Sequence, residues 1–161
     1  MINKLHLAMI ELYSGDAKRI QHFCKVHSYA KLIAETENVD EKCLFIIEAA
    51  ALTHDIGIHL CEEKYGNCNG KLQEKEGPAI AEKLLAKLGF DRDISDRVQY
   101  LIAHHHTYSN IDGIDYQILV EADFLVNIME EGSSKEAAIK AYQNIFKTSC
   151  GKKICREMFG I

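Results

Sequence analysis

The sequence holds one proline, Pro78, and no tract dominated by glycine, proline or serine. Flexible linkers and low-complexity tails are therefore not expected. Six cysteines stand at positions 24, 43, 61, 68, 150 and 155, and none forms a CxxC pair. A zinc ribbon or a thioredoxin-type redox site is excluded on that spacing. No block of five or more lysines and arginines occurs, and the net charge is −5. A general nucleic-acid binder usually carries a basic face, so a nucleic-acid polymer is not an expected partner. No unbroken apolar run reaches the roughly 18 residues that span a bilayer, so no membrane partner is expected. The stretch Asn3 to Tyr13 is interrupted by Lys4, His6 and Glu11, unlike the core of a signal peptide. These absences describe a reduced, cytoplasmic protein with free thiols. Strand-like alternation of period two is also missing.

What remains is a 161-residue chain, 47% hydrophobic and 27% charged, the size and make-up of one domain with a real core. Caps and breakers divide it into helices. Residues 3–13 form the first, stopped at Ser14-Gly15. Asp16 caps a long helix to about Asn38, and Asp40 caps another to about Asp55. A polar loop over 56–73 follows. Gly77-Pro78 opens a helix that ends at Leu88-Gly89, and Asp91 or Asp93 caps one running to about His106. After the loop "TYSNIDGID", helices cover 115–131 and 133–147, before a short terminal turn. The expected fold is all-α, a single domain over 1–161.

Two stretches are chemically odd. "ALTHDIG", 51–57, ends an apolar segment with His54 and Asp55, and "LIAHHHTY", 101–108, ends another with three histidines. Burying such groups costs free energy unless something pairs with them. Helical spacing sets His27 in a stripe of Ile20, Phe23, Cys24, Ala30 and Ala34. Leu44, Ile47 and Ala51 lead to His54, and Ile94, Val98 and Leu101 lead to His104 and His105. Asp123 sits within a stripe of Leu119, Ala122, Val126 and Met129. Four helices thus point ionisable groups inward. One divalent cation satisfies them together, since imidazole and carboxylate ligands suit Zn, Mn, Fe or Ni. Bundle interiors host such sites.

His27, the doublet His54-Asp55 in "LTHDIG" and Asp123 in "VEADFLVN", in that order, resemble the signature of the HD-domain metal-dependent phosphohydrolase superfamily. The resemblance covers about residues 20–130. "EEKYGNCNGKLQEKEGPAIAEKLL" and "AHHHTYSNIDGIDYQILVEADFLVN" are similar to a small bacterial subgroup of such phosphohydrolases. The resemblance implies an HD-type helical bundle and one or two divalent metals, such as Mn, Fe, Co, Ni, Zn or Mg. It carries a ligand role to His27, His54, Asp55 and Asp123.

Binuclear members have two further histidines before the last aspartate. His104 matches the second, and some subfamilies also use its neighbour, His105. The first is missing, because no histidine lies between His59 and His104. Gln73, Glu74 and Glu76 occupy that region. Glu76 is either a substitute oxygen ligand or a favourable charge at a helix start.

The implied chemistry is hydrolysis of a nucleotide or other small phosphoester by a water that the metal activates. Asp55 or Asp123 is the expected water-orienting group, with Asp55 the catalytic candidate, and His104 or His105 the group meeting the leaving oxygen. Lys64, Lys71, His59 and Tyr108 are candidate substrate contacts, with Tyr65 a further pocket wall. Two other classes compete: a di-iron oxygenase of HD type, and a metal-stabilised binding or regulatory module without turnover. Oligomeric state is open.

Overall fold

Short polar side chains start the helices. Asp16 accepts the amide of Arg19 at 3.1 Å, Asp40 that of Cys43 at 2.8 Å and Asn69 that of Leu72 at 3.1 Å. Ser134 and Thr148 do the same for Ala137 and Gly151. Each satisfies a donor that the first turn leaves free. In the computed structural model, which describes residues 1–161, nine helices result and no strand. They are α1 (Ile2–Leu12), α2 (Ala17–Thr36), α3 (Glu41–Thr53), α4 (Ile58–Tyr65), α5 (Gly70–Leu88), α6 (Arg92–Ile102), α7 (Ile114–Glu130), α8 (Lys135–Asn144) and α9 (Ser149–Phe159). The all-α expectation holds.

Several boundaries differ from the sequence reading. The 56–73 "loop" contains α4 and the start of α5. Gly66 ends α4 with φ +70°, a left-handed conformation that suits glycine. Asn69, not Gly77-Pro78, opens α5, and Pro78 lies inside it. A proline there costs roughly 3 kcal/mol, offset by the buried face of Ala81 and Leu85. The C-terminal turn is the full helix α9, while α8 stops at Asn144 rather than Lys147.

Helix α3 is the axis. Ala49, Ala50, Ala51 and Leu52 are fully buried on every side, the pattern of a helix enclosed by others. It packs against α2, α6, α7 and α1. Within Glu41–Tyr65 an 18-residue window is apolar enough by composition to cross a membrane, with mean hydropathy 1.4, but 67% of that window is buried inside the bundle. Its apolarity is that of a central core helix.

Two contacts fix the turn after α3. The Tyr13 hydroxyl donates to the carbonyl of Asp55 at 2.7 Å. Helix α5 crosses the turn so closely that a Cβ on Gly77 would lie 2.7 Å from the Ile102 side chain, and one on Gly57 3.0 Å from the Gly77 nitrogen. That crossing brings Gln73 and Glu74 beside the histidines that follow α6.

Candidate metal centre

The end of α3, the middle of α7 and the first half of α2 meet at one point. His54 comes from the first, Asp123 from the second and His22 from the third. All three are buried. His22 Nε2 lies 3.3 Å from His54 Nε2 and 3.3 Å from Asp123 Oδ1, and His54 Nε2 is 3.5 Å from that oxygen. Asp55 Oδ2 stands 3.5 Å from both imidazole nitrogens.

The protons of these rings are committed elsewhere. His54 Nδ1 faces the Ala51 carbonyl at 3.0 Å, and His22 Nδ1 faces Glu130 Oε2 at 2.9 Å. A carbonyl or carboxylate oxygen only accepts, so each δ nitrogen carries the hydrogen. When neutral, as metal ligands must be, the rings therefore turn lone pairs toward one another and toward two carboxylates. Asp123 Oδ1 is buried with no hydrogen bond, since the nearby imidazole nitrogens are not aligned as donors. An orphaned acceptor among acceptors calls for a positive charge. Donor spacings of 3.3–3.5 Å match neighbouring ligands on a cation with bonds of about 2.1 Å. The residues fit a divalent metal.

A second group adjoins the first. Asp55, His105 and His106 place one ligating atom each within 4.8 Å of the others. Asp55 Oδ1 is 3.5 Å from His105 Nε2, so its two oxygens face different groups. His105 Nδ1 donates to the Ile102 carbonyl at 2.7 Å. Buried Glu74 holds this turn by accepting from the His106 amide at 3.1 Å and the Thr107 hydroxyl at 2.9 Å.

An HD domain model matches residues 19–147, most of the chain. The chain belongs to the HD-domain family. It is also similar to a predicted HD superfamily hydrolase from an uncultured Thermotogales bacterium, whose crystal structure was determined at 1.45 Å resolution. The TM-score is 0.72 and the identity 27%, over 98% of this chain and 84% of that one. No curated protein matches.

Set against this HD frame, the expected residues divide. His54, Asp55 and Asp123 come together. His27 does not: its Nε2 meets Glu48 at 3.0 Å, and its ring is 5.5 Å from that of His6. His22 takes the position expected of His27, although sequence reasoning passed over it. The signal was present, since His22 lies four residues before buried Val26 on the face packed against α7. His104 also stands aside, with Nδ1 on the Tyr100 carbonyl at 2.7 Å and its ring stacked on Tyr100. Its neighbours His105 and His106 turn inward instead.

Glu76 is occupied elsewhere, accepting from the Tyr65 hydroxyl at 2.6 Å and Lys64 at 3.1 Å. Those bonds hold its pKa below the ordinary carboxylate range. From "QEKEG" it is Gln73 that reaches the histidines, its Oε1 2.9 Å from His106 Nε2. Lys64 is thus paired with Glu76, and Lys71 is largely exposed beside Glu74. His59 pairs with Asp16 at 3.1 Å. Tyr108 lies 3.5 Å from His106 and edge-on to Phe124.

The electrostatics of the bare centre follow from crowding. Burial works to lower the pKa of His54, but Asp55 and Asp123 outweigh it and lift it to about 9. Burial works to raise that of Asp55, yet His54 and His105 bring it to about 2. His106 falls to about 4, through burial and the charge of His105. Without a metal, protons hold these carboxylates together.

Proposed function

We propose that this protein is a metal-dependent phosphohydrolase acting on a nucleotide or other small phosphoester. HD-family membership and the hydrolase neighbour support the general class. The observation that carries the reading is the all-acceptor pocket around the unpartnered Asp123 Oδ1, with Asp55 facing a second group.

In this reading His22, His54, Asp55 and Asp123 hold one cation, and Asp55, His105 and His106 hold another. A bound divalent cation supplies a Lewis acid for phosphoryl oxygens and lowers the pKa of its water to about 7. The protein does the positioning. Glu130, Ala51 and Ile102 lock the three imidazoles through their δ nitrogens, which fixes tautomer and ring orientation. Asp55 sits between the groups and orients the attacking water. Buried His105 is a ligand in this reading, grouped with Asp55 and His106. His106 is neutral at pH 7 and half-exposed at the rim. In the net reaction the water oxygen forms a new bond to phosphorus and the ester P–O bond breaks. The water proton ends on the departing alcohol.

The test is metal-free protein reconstituted with Mn²⁺, Co²⁺ or Ni²⁺ and offered a phosphomonoester panel. Phosphate release that Asp55→Asn abolishes supports the reading. Oxygen uptake by the iron-loaded protein, with no phosphate release from any metal form, would favour the di-iron alternative.

A further inference from the structure

A cavity of about 340 Å³ opens beside the second group, lined among others by His106, Tyr108, Phe124, Asn127, Glu131 and Ser133. It shares one residue with the centre: His106 lines the cavity and also stands with Asp55 and His105. Asn127 is one helical turn beyond Asp123 on the same face of α7. The cavity thus adjoins the centre on the side of His106 and of this face of α7.

The lining reads as a binding site for a particular kind of group. Tyr108 and Phe124 meet edge-to-face with centroids 5.0 Å apart, leaving an aromatic wall. Asn127 and Ser133 offer donors and acceptors, and Glu131 offers only acceptors. No lysine or arginine lines the cavity. Lys25 of α2 is paired with Glu130 at 2.8 Å. A second phosphate placed here would meet the Glu131 carboxylate, and no cationic side chain lines the cavity to offset it. The volume is near the low end of small-molecule pockets, roughly 300–1,000 Å³, which suits one nucleoside-sized group and not a dinucleotide.

We propose that this cavity receives the alcohol portion of a phosphomonoester, an uncharged ring-bearing alcohol of nucleoside size, and that Tyr108, Asn127 and Glu131 select it. The inference rests on the phosphohydrolase reading above and narrows its substrate to monophosphates of such alcohols.

The experiment compares kcat/KM of the Mn²⁺-loaded protein for nucleoside monophosphates, nucleoside triphosphates and methyl phosphate. Monophosphates are expected to lead both. Tyr108→Ala should cut the ratio of nucleoside monophosphate to methyl phosphate about tenfold, the scale of one lost stacking contact. Glu131→Lys should raise triphosphate relative to monophosphate by about tenfold, by removing a like-charge clash. Hydrolysis of methyl phosphate with no preference for the nucleoside form, or ratios unmoved in both variants, would overturn the proposal while leaving the phosphohydrolase intact. If no phosphoester is cleaved, titration calorimetry with a panel of free nucleosides decides. Binding that Tyr108→Ala abolishes would support the cavity assignment, and no binding by the wild type would overturn it.

Discussion

His22 is tied at both ends, to Glu130 by one nitrogen and to the pocket by the other. Replacing it with alanine removes one donor and leaves Asp123 more exposed to repulsion from Asp55. His22→Ala is expected to lose most bound metal, and His27→Ala to retain it, by elemental analysis of the purified variants. The opposite pattern would return His27 to the centre. Glu130→Gln weakens the anchor of His22 without touching the cation, and metal affinity should fall about 10–100-fold, read by competition with a chelating dye. At this scale the sequence was partly legible. His54, Asp55 and Asp123 could be found because apolar runs of α3 and α7 lead into them. The choice between His22 and His27 failed because they lie about 140° apart around one helix. The stripe that favoured His27 counted Ile20 and Cys24, which are only half-buried, and left out Val26 and Ile33, which are fully buried. Glu76 misled for a different reason: its partners Lys64 and Tyr65 sit on α4, a helix that a Gly- and Asn-rich stretch concealed.

Among the elements, α7 does two jobs. One face carries Asp123 to the centre. Another carries Glu121, fully buried, into the start of α9. There its carboxylate accepts from the amides of Lys147 at 2.6 Å and Thr148 at 2.9 Å, and from the Thr148 hydroxyl at 2.5 Å. A negative charge at a helix start is favourable, and the two Thr148 donors are buried away from water. Glu121→Ala is expected to cost roughly 1–3 kcal/mol for each buried donor left unpaired, measured by urea denaturation, with metal content unchanged. Gly151→Ala should act similarly, since its new Cβ would stand 1.9 Å from Glu121 Oε2. Stability equal to wild type in both variants would mean that α9 docks without this bond. The helices themselves were largely readable from caps and breakers. The exceptions came where tertiary packing overrode punctuation, as in α5, where burial against α6 carries the helix through Pro78.

For the molecule as a whole, the centre joins α2, α3, α6 and α7, so its charge state bears on global stability. His54 has a folded-state pKa of about 9, above its ordinary 6.5. A raised pKa contributes stability that is fully present below pH 6.5 and is lost as pH rises through 9. Asp55, held at about 2, contributes above its ordinary 3.8 and loses that only in acid as pH falls through 2. Between neutrality and pH 9, the metal-free protein therefore loses the protons that keep its carboxylates together. A divalent cation takes over their role, and its affinity grows as they leave. Its stabilisation follows RT ln(1 + [L]/Kd), about 2.7 kcal/mol at a hundredfold excess over Kd. Melting curves in EDTA should shift to lower temperature from pH 6.5 to 9, while those with saturating Mn²⁺ should hold or rise, so that the two diverge with pH. Asp123→Ala should remove the divergence, because the cation then lacks its buried ligand. Parallel curves in the wild type would mean that the metal binds away from His54 and Asp123.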